Sequence, residues 1–138
     1  EWLIRKNMSS TPRGAELSMG LGAMLCSTAF ASVTSAALIL FGPIGDSIGG
    51  DSGIHPYRRS HIISAFANSI PVVMPFSAFV FIVMAATASQ EGGASVSPFT
   101  LSYSTGYPWA LFLVFMVSIF TGWGRRFEGE NGAAVKKA

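Results

Sequence analysis

The sequence predicts an all-α integral membrane protein. Half of its 138 residues are hydrophobic and only 12% are charged, whereas a soluble domain carries about 25% charged residues. Three apolar runs, at 17–45, 62–87 and 107–123, approach or exceed the roughly 20 residues that cross a hydrocarbon core. The net charge of +2 is too small to indicate a nucleic-acid partner. We therefore expect the lipid bilayer to be a partner of this chain.

Residues 1–16 are predicted to be the end of a preceding helix followed by a loop. Thr11 and Pro12 mark the start of the next helix, because proline is favoured in the first turn. The chain begins with Glu1 rather than Met, and three spans rarely enclose a pathway across a membrane. We therefore expect the C-terminal portion of a longer polytopic protein, whose other part lies N-terminal to Glu1. A small membrane subunit is the alternative.

The first apolar run, 17–45, is long and rich in small and hydroxyl-bearing residues. As one helix it would measure about 44 Å, against about 30 Å for the hydrocarbon core. One interpretation is a single span that packs its small residues on neighbouring helices. The other is a re-entrant hairpin with its tip near Ala29 to Val33, because irregular backbone is tolerated at membrane depth where protein buries it. On a continuous helix, one face would carry Thr28, Ser32 and Ser35.

The distribution of Lys and Arg favours the hairpin. Basic residues flank 17–45 on both sides and follow 107–123, whereas 88–106 has none. If 17–45 re-enters, every basic cluster lies on the cytoplasmic side, as the positive-inside rule requires. We then expect a cytoplasmic loop at 46–61, an external loop at 88–106 and a disordered cytoplasmic tail at 124–138.

The predicted cytoplasmic loop holds four titratable residues of interest. These are Asp46, Asp51, His55 and His61. The two acids are candidates for carrying a proton or attracting cations if a cavity reaches them. Alternatively both are solvated, or Asp46 pairs with Arg58 or Arg59. The two histidines flank the arginine pair and titrate near neutral pH, but an interfacial position explains them more simply than pH sensing does.

The second run, 62–87, is predicted to be a broken transmembrane helix. Pro71 and Pro75 each remove an N–H and clash with the carbonyl four residues earlier, which frees carbonyls near Ala67 and Pro71. Asn68 and Ser69 add side-chain oxygens at the same depth. Discontinuous helices of this kind build ion sites in secondary transporters, so we expect these groups to bind a cation. The alternative is a proline-kinked packing helix in which Asn68 bonds to a neighbour.

The third run, 107–123, is uniformly apolar and is predicted to be a transmembrane helix that serves as scaffold. Tyr107, Trp109 and Trp123 lie at its ends, where aromatic residues favour membrane interfaces. The chain has no Ser/His/Asp grouping, metal-ligand spacing or nucleotide-binding loop. An enzyme is therefore not expected, and no cofactor is implied.

The sequence contains three distinctive stretches: "TPRGAELSMGLGAML", "TSAALILFGPIGDSI" and "GIHPYRRSHIISAFANSIPVVMPFSAF". They resemble the C-terminal part of the NhaC-type sodium/proton antiporter family, which belongs to the ion-transporter superfamily. The most specific is "HPYRRSHIISAFA" followed by "MPFSAF", and the resemblance covers roughly residues 10–85. It implies an inverted-repeat transporter in which each repeat holds a re-entrant hairpin and a broken helix around the ion site.

The resemblance implies Na⁺ and H⁺ as transported ions and a multi-pass position in the cell inner membrane, with a cytoplasmic C-terminus. A second copy of the chain is a candidate partner. The alternative functions are a sodium- or proton-coupled permease for an amino acid or small organic acid, and a non-transporting membrane subunit. The residues implied in the ion site are Thr28, Ser32, Ser35, Asn68 and Ser69, with Pro71 and Pro75 as the helix-breaking pair.

Overall fold

A computed structural model describes residues 11–89 and 96–136, and these residues are mostly helical. Helices α1 (Pro12–Ala29) and α2 (Thr34–Asp51) form an antiparallel hairpin. The hydroxyl of Thr11 accepts the amide of Gly14 at 3.2 Å and so begins α1. The helix start predicted at Thr11 and Pro12 is confirmed, so the loop expected within residues 1–16 does not extend past Thr11, and 1–10 lie outside the described residues.

The two helices of the hairpin are separated by a tight turn at Phe30–Val33, which coincides with the tip proposed from the sequence. Ala31 and Ser32 have φ values of 49° and 69° there, in the left-handed region. That region is unfavourable for any residue with a β-carbon, so contacts with the rest of the chain must hold the turn. Whether the hairpin enters a membrane stays a prediction.

Helix α2 continues past the residues at which we expected it to end. Pro43 lies inside it, and the helix runs to Asp51 rather than ending at Gly45. The packing explains the difference, because Gly45 and Gly49 let α2 lie close to Ile63 and to the side chains of Arg59 and Met19. The connection to the next helix is therefore short, and the prediction of a loop over 46–61 was wrong for most of that range.

The second apolar run is broken twice. It forms α3 (Pro56–Ala67), the single turn α4 (Ile70–Val73) and α5 (Ala78–Ala88). Pro71 lies in the first turn of α4, and Pro75 lies between α4 and α5. The hydroxyl of Ser77 accepts the amide of Val80 at 3.2 Å and begins α5. Both breaks thus occur where the prolines predict them.

Helices α6 (Pro98–Ser104) and α7 (Gly106–Thr121) follow. The expected external loop at 88–106 is therefore partly helical, and its segment 90–95 lies outside the described residues. Gly122, with φ of 74°, ends α7 in the left-handed conformation common at helix C-termini.

The C-terminal segment is ordered, contrary to the expected disordered tail. Strands β1 (Phe127–Glu128) and β2 (Ala134–Val135) pair antiparallel. Phe127 also forms a bridge with Ile54, in the connection between α2 and α3. Polar, glycine-rich composition suggested disorder, but backbone pairing with a distant segment gives this stretch a fixed position.

A compact core joins α1, α2, α3 and α7. Its fully or nearly fully buried members include Met19, Phe41, Ile62, Phe66 and Ile119. Among the described residues, no single helix has both the length and the apolar character needed to cross a membrane. Two groups of helices, each bent at a break, have the necessary length and apolar character when taken together. They are α3–α4 with α5, bent by 47°, and α6 with α7, bent by 50°.

Candidate functional site

Hydrogen bonds join the hairpin tip and the residues next to it to the broken helix, and we call this contact the crossing. Ser27 Oγ donates to the Ala67 carbonyl at 2.9 Å, and Ser32 Oγ donates to the Pro71 carbonyl. The Ala78 amide, at the start of α5, donates to the Ala31 carbonyl at 3.0 Å. These bonds join residues 40, 39 and 47 positions apart. They hold the strained tip against both breaks of the run.

The two carbonyls that accept these hydroxyls are the ones expected to be freed by proline. Pro71 lacks the N–H that would bond to Ala67, and Pro75 lacks the N–H that would bond to Pro71. The hydroxyls of Ser27 and Ser32, both in the hairpin, donate to these two carbonyls in place of the missing N–H groups. The Pro71 carbonyl also accepts the Met74 amide at 3.3 Å. Because a buried carbonyl without a partner is costly, the bond from Ser27 to the buried Ala67 stabilises the first break.

Asn68 lies at the same crossing, immediately after α3. Its Oδ1 accepts the hydroxyl of Thr34 at 3.3 Å, and its Nδ2 donates to the Ser64 carbonyl at 2.9 Å. The side chain is partly exposed. Asn68 therefore joins the first residue of α2 to the last turn of α3.

The other residues that were predicted to bind a cation either bond to nearby backbone or are exposed. Thr28 Oγ1 donates to the Met24 carbonyl of its own helix at 2.8 Å, and Ser69 Oγ, fully buried, donates to the Phe66 carbonyl at 2.7 Å. Ser35 is exposed on α2. Of the three hydroxyls placed on one face, Ser32 alone reaches the broken helix in the described structure. The prediction assumed a continuous helix, and the turn at Phe30–Val33 interrupts it.

Sequence reasoning missed Ser27 and Thr34 as members of the crossing. Both belong to the hydroxyl-rich stretch that was singled out, so the signal was present in the composition. The choice among the hydroxyls depends on where the helix breaks, because a break resets the helical phase.

The two acids considered as proton or cation carriers lie in the second half of α2, toward the end remote from the tip. Asp46 Oδ1 contacts Arg59 Nη1 at 2.8 Å, which is the pairing proposed as the alternative. Its side chain is 64% exposed. Asp51 is exposed at the last residue of α2. The structure brings neither acid to the crossing.

A buried charge cluster, which the sequence did not predict, joins the other end of the hairpin. Glu16 is fully buried, and its carboxylate accepts Arg58 Nε at 2.9 Å and Arg125 Nη2 at 2.6 Å. Arg58 Nη2 also donates to Ser118 Oγ at 2.9 Å. The cluster thus connects α1, α3, α7 and the segment that follows α7.

The C-terminal segment is attached beside this cluster. Arg59 Nη2 contacts Glu128 at 2.9 Å. The amide of His55 donates to the Arg126 carbonyl, and the amide of Glu128 donates to the Gly53 carbonyl, both at 2.9 Å. His55, buried, has its ring Nε2 at 3.2 Å from the Gly132 carbonyl. This contact and the helix cap that His55 forms give the residue a structural role.

A cavity of about 480 Å³ opens beside Asn68, between α3, α5 and α7. Its polar lining comes from His61, Ser64, Asn68, Thr105 and Tyr107. A second cavity of about 440 Å³ lies on the other side of α3, toward α2, and shares Ser64 with the first.

No protein-family model, curated protein or solved structure matches this chain. The resemblance to NhaC-type antiporters therefore stays a prediction, and function has to be argued from the crossing itself.

Proposed function

We propose that this chain is part of a secondary transporter that exchanges Na⁺ for H⁺ across the cell membrane, with its cation site at the crossing of the hairpin tip and the broken helix. The supporting observation is a group of uncharged oxygens from opposite parts of the chain. They are Ser27 Oγ, Ser32 Oγ, Asn68 Oδ1 and the carbonyls of Ala67 and Pro71. Unwound backbone carbonyls at broken helices coordinate Na⁺ in transporters of known mechanism.

The crossing offers a way to couple ion binding to movement. In the present arrangement Ser32 donates its proton to the Pro71 carbonyl. A hydroxyl also has two lone pairs, so a cation at this position would attract both oxygens and displace that bond. The tip would then lose a restraint while Ala31 and Ser32 hold left-handed conformations that cost roughly 1–2 kcal/mol each. Cation binding and tip conformation are therefore linked.

Exchange with H⁺ requires a group that titrates, and the neutral oxygens of the crossing do not. A carboxylate elsewhere in the transporter would carry the proton, and competition between Na⁺ and H⁺ for one site would couple the two fluxes. Glu16 lies outside the crossing, in the charge cluster with Arg58 and Arg125.

A permease for a small organic solute on the same scaffold is the second candidate. The cavity of about 480 Å³ beside Asn68 favours it, since small-molecule sites commonly enclose about 300–1,000 Å³. A cation alone needs much less space.

Replacing Asn68 or Ser32 with alanine is expected to impair cation-driven proton flux. Each change removes one oxygen of the crossing, and the loss of one bond to a charged group is worth about 1.5–3 kcal/mol, or roughly 10- to 100-fold in apparent affinity. The measurement is dissipation of a pH gradient in inverted vesicles that contain the complete natural protein, on addition of Na⁺, Li⁺ or K⁺.

The matched control is Ser35→Ala, because Ser35 is an exposed hydroxyl on the same hairpin. It should transport like the wild type. All variants are compared at equal membrane expression. Wild-type flux by both Asn68→Ala and Ser32→Ala would exclude the crossing as the cation site. A parent without any cation response would exclude antiport and lead to uptake assays with organic solutes.

A further inference from the structure

Helix α3 has an exposed face on which every residue from Tyr57 onward carries a polar group. The opposite face is buried and includes Ile62, Ile63 and Phe66. The exposed face begins beside the charge cluster and ends at the helix break. It consists of Tyr57, Ser60, His61, Ser64 and, one residue past the helix, the partly exposed Asn68. We call these five residues the polar stripe.

Helices α5 and α7 have exposed faces of the opposite character. Large apolar side chains dominate both. On α5 they include Phe79, Phe81 and Ile82, and on α7 they include Leu113, Val114, Val117 and Phe120. A lipid environment suits these two faces, whereas uncompensated polar groups in lipid are costly. Of the exposed faces of α3, α5 and α7, the polar stripe is therefore the one that lipid suits least.

Both cavities described above border the polar stripe. The larger is lined by His61, Ser64 and Asn68, and the smaller by Tyr57, Ser60 and Ser64. Apolar side chains also line both cavities. Leu38 of α2 lines the smaller cavity, and Leu111 and Phe115 of α7 line the larger one. The side chains of His61 and Ser64 make no hydrogen bond within the described part of the chain, so their polar atoms are available to water.

We propose that the polar stripe is an aqueous access path, along which a hydrated monovalent cation reaches the crossing from the N-terminal end of α3. This inference rests on the proposed transport function and extends it. The path is about 18 Å long, the length of a 12-residue helix. Charge does not obstruct it, because Arg59, the basic residue that borders the smaller cavity, is paired with Asp46 and Glu128. It ends at Asn68, whose Oδ1 belongs to the crossing.

Cysteine labelling tests the path without depending on transport. Cys26 is the one cysteine of this sequence, so Cys26→Ala, combined with replacement of any cysteine in the rest of the complete protein, provides a background for single-cysteine variants. In lipid vesicles, the cationic, membrane-impermeant reagent methanethiosulfonate ethyltrimethylammonium should modify His61→Cys and Ser64→Cys at least about 10-fold faster than Ile82→Cys or Val117→Cys. The last two positions are 67% and 58% exposed, so exposure alone would predict fast labelling there too. The difference arises because a thiolate forms in water and not in lipid.

Two results would overturn the path. In one, the stripe variants react as slowly as the apolar controls. In the other, Ile82→Cys and Val117→Cys react as fast as the stripe, which would mean that water surrounds all three helices. Fast labelling confined to the stripe, together with a parent that shows no cation-driven flux, would support the path and reject the transport proposal. The two inferences can therefore fail separately.

Discussion

Glu16→Gln is expected to lower the free energy of unfolding by about 3–5 kcal/mol, the usual cost of removing one partner from a buried ion pair. Glutamine has nearly the same shape, so the change removes charge and little volume. Arg58 and Arg125, whose side chains are 8% and 12% exposed, would keep their charges without the carboxylate that both now contact. Two like charges would then lie close together away from water.

Thermal unfolding of the purified protein in one detergent would measure this effect. A loss of this size corresponds to a decrease in Tm of roughly 10 °C for a chain of this length. Glu128→Gln is the matched control, because it removes one carboxylate from a pair with Arg59 in which the acid is 44% exposed. Solvent screens that pair, and about 1 kcal/mol or less is expected. Equal melting of the two variants would contradict a structural role for the buried cluster.

The sequence predicted the parts of the fold that local chemistry determines. Two prolines in an apolar run predict broken helices, and the breaks lie on either side of Ile70–Val73. The long first run left a single span and a hairpin open, and the distribution of Lys and Arg along the chain favoured the hairpin, whose turn lies at the proposed tip. For the prolines, a short segment contains both the cause and the effect.

Features that depend on distant partners could not be predicted in this way. Glu16 bonds to residues 42 and 109 positions away, and nothing near Glu16 in the chain indicates either partner. Arg58 and Arg125 were interpreted as basic residues flanking apolar runs, a role that composition alone supports. The ordered C-terminal segment and the continuation of α2 through Pro43 have the same origin, since both depend on packing between separate segments.

The candidate site combines both kinds of information. Asn68 and the freed carbonyls follow from the prolines next to them, so the sequence located them. The hydroxyls at the crossing depend on the turn and on how the hairpin packs against the broken helix. The turn contains the left-handed Ala31 and Ser32, whose conformation the sequence does not indicate. Ser32 was predicted from a continuous helix, whereas Ser27, which precedes the turn, and Thr34, which follows it, were missed.

Gly22→Leu is expected to open the hairpin that carries the tip, with a loss of about 3 kcal/mol, the upper end of the usual cost of overpacking a core. A β-carbon built at Gly22 would overlap the ring of Phe41, which is 6% exposed in the core. Leucine would force that ring out of the α1–α2 contact. The turn at Phe30–Val33 would lose its support, so thermal unfolding and cation-driven flux should both be impaired.

Gly42→Leu separates this effect from the general consequence of putting leucine in a hairpin helix. Gly42 lies next to Phe41 on α2, and apart from its chain neighbours and the nearby backbone of its own helix no atom lies within 4 Å of a β-carbon built there. Leucine also favours the helix over glycine by roughly 1 kcal/mol, so this variant should be at least as stable as the wild type. Phe41→Ala should cost less in the Gly22→Leu background than alone, because it removes the overlapping ring. If the two substitutions were instead additive, the close contact between Gly22 and Phe41 would not be what holds α1 against α2.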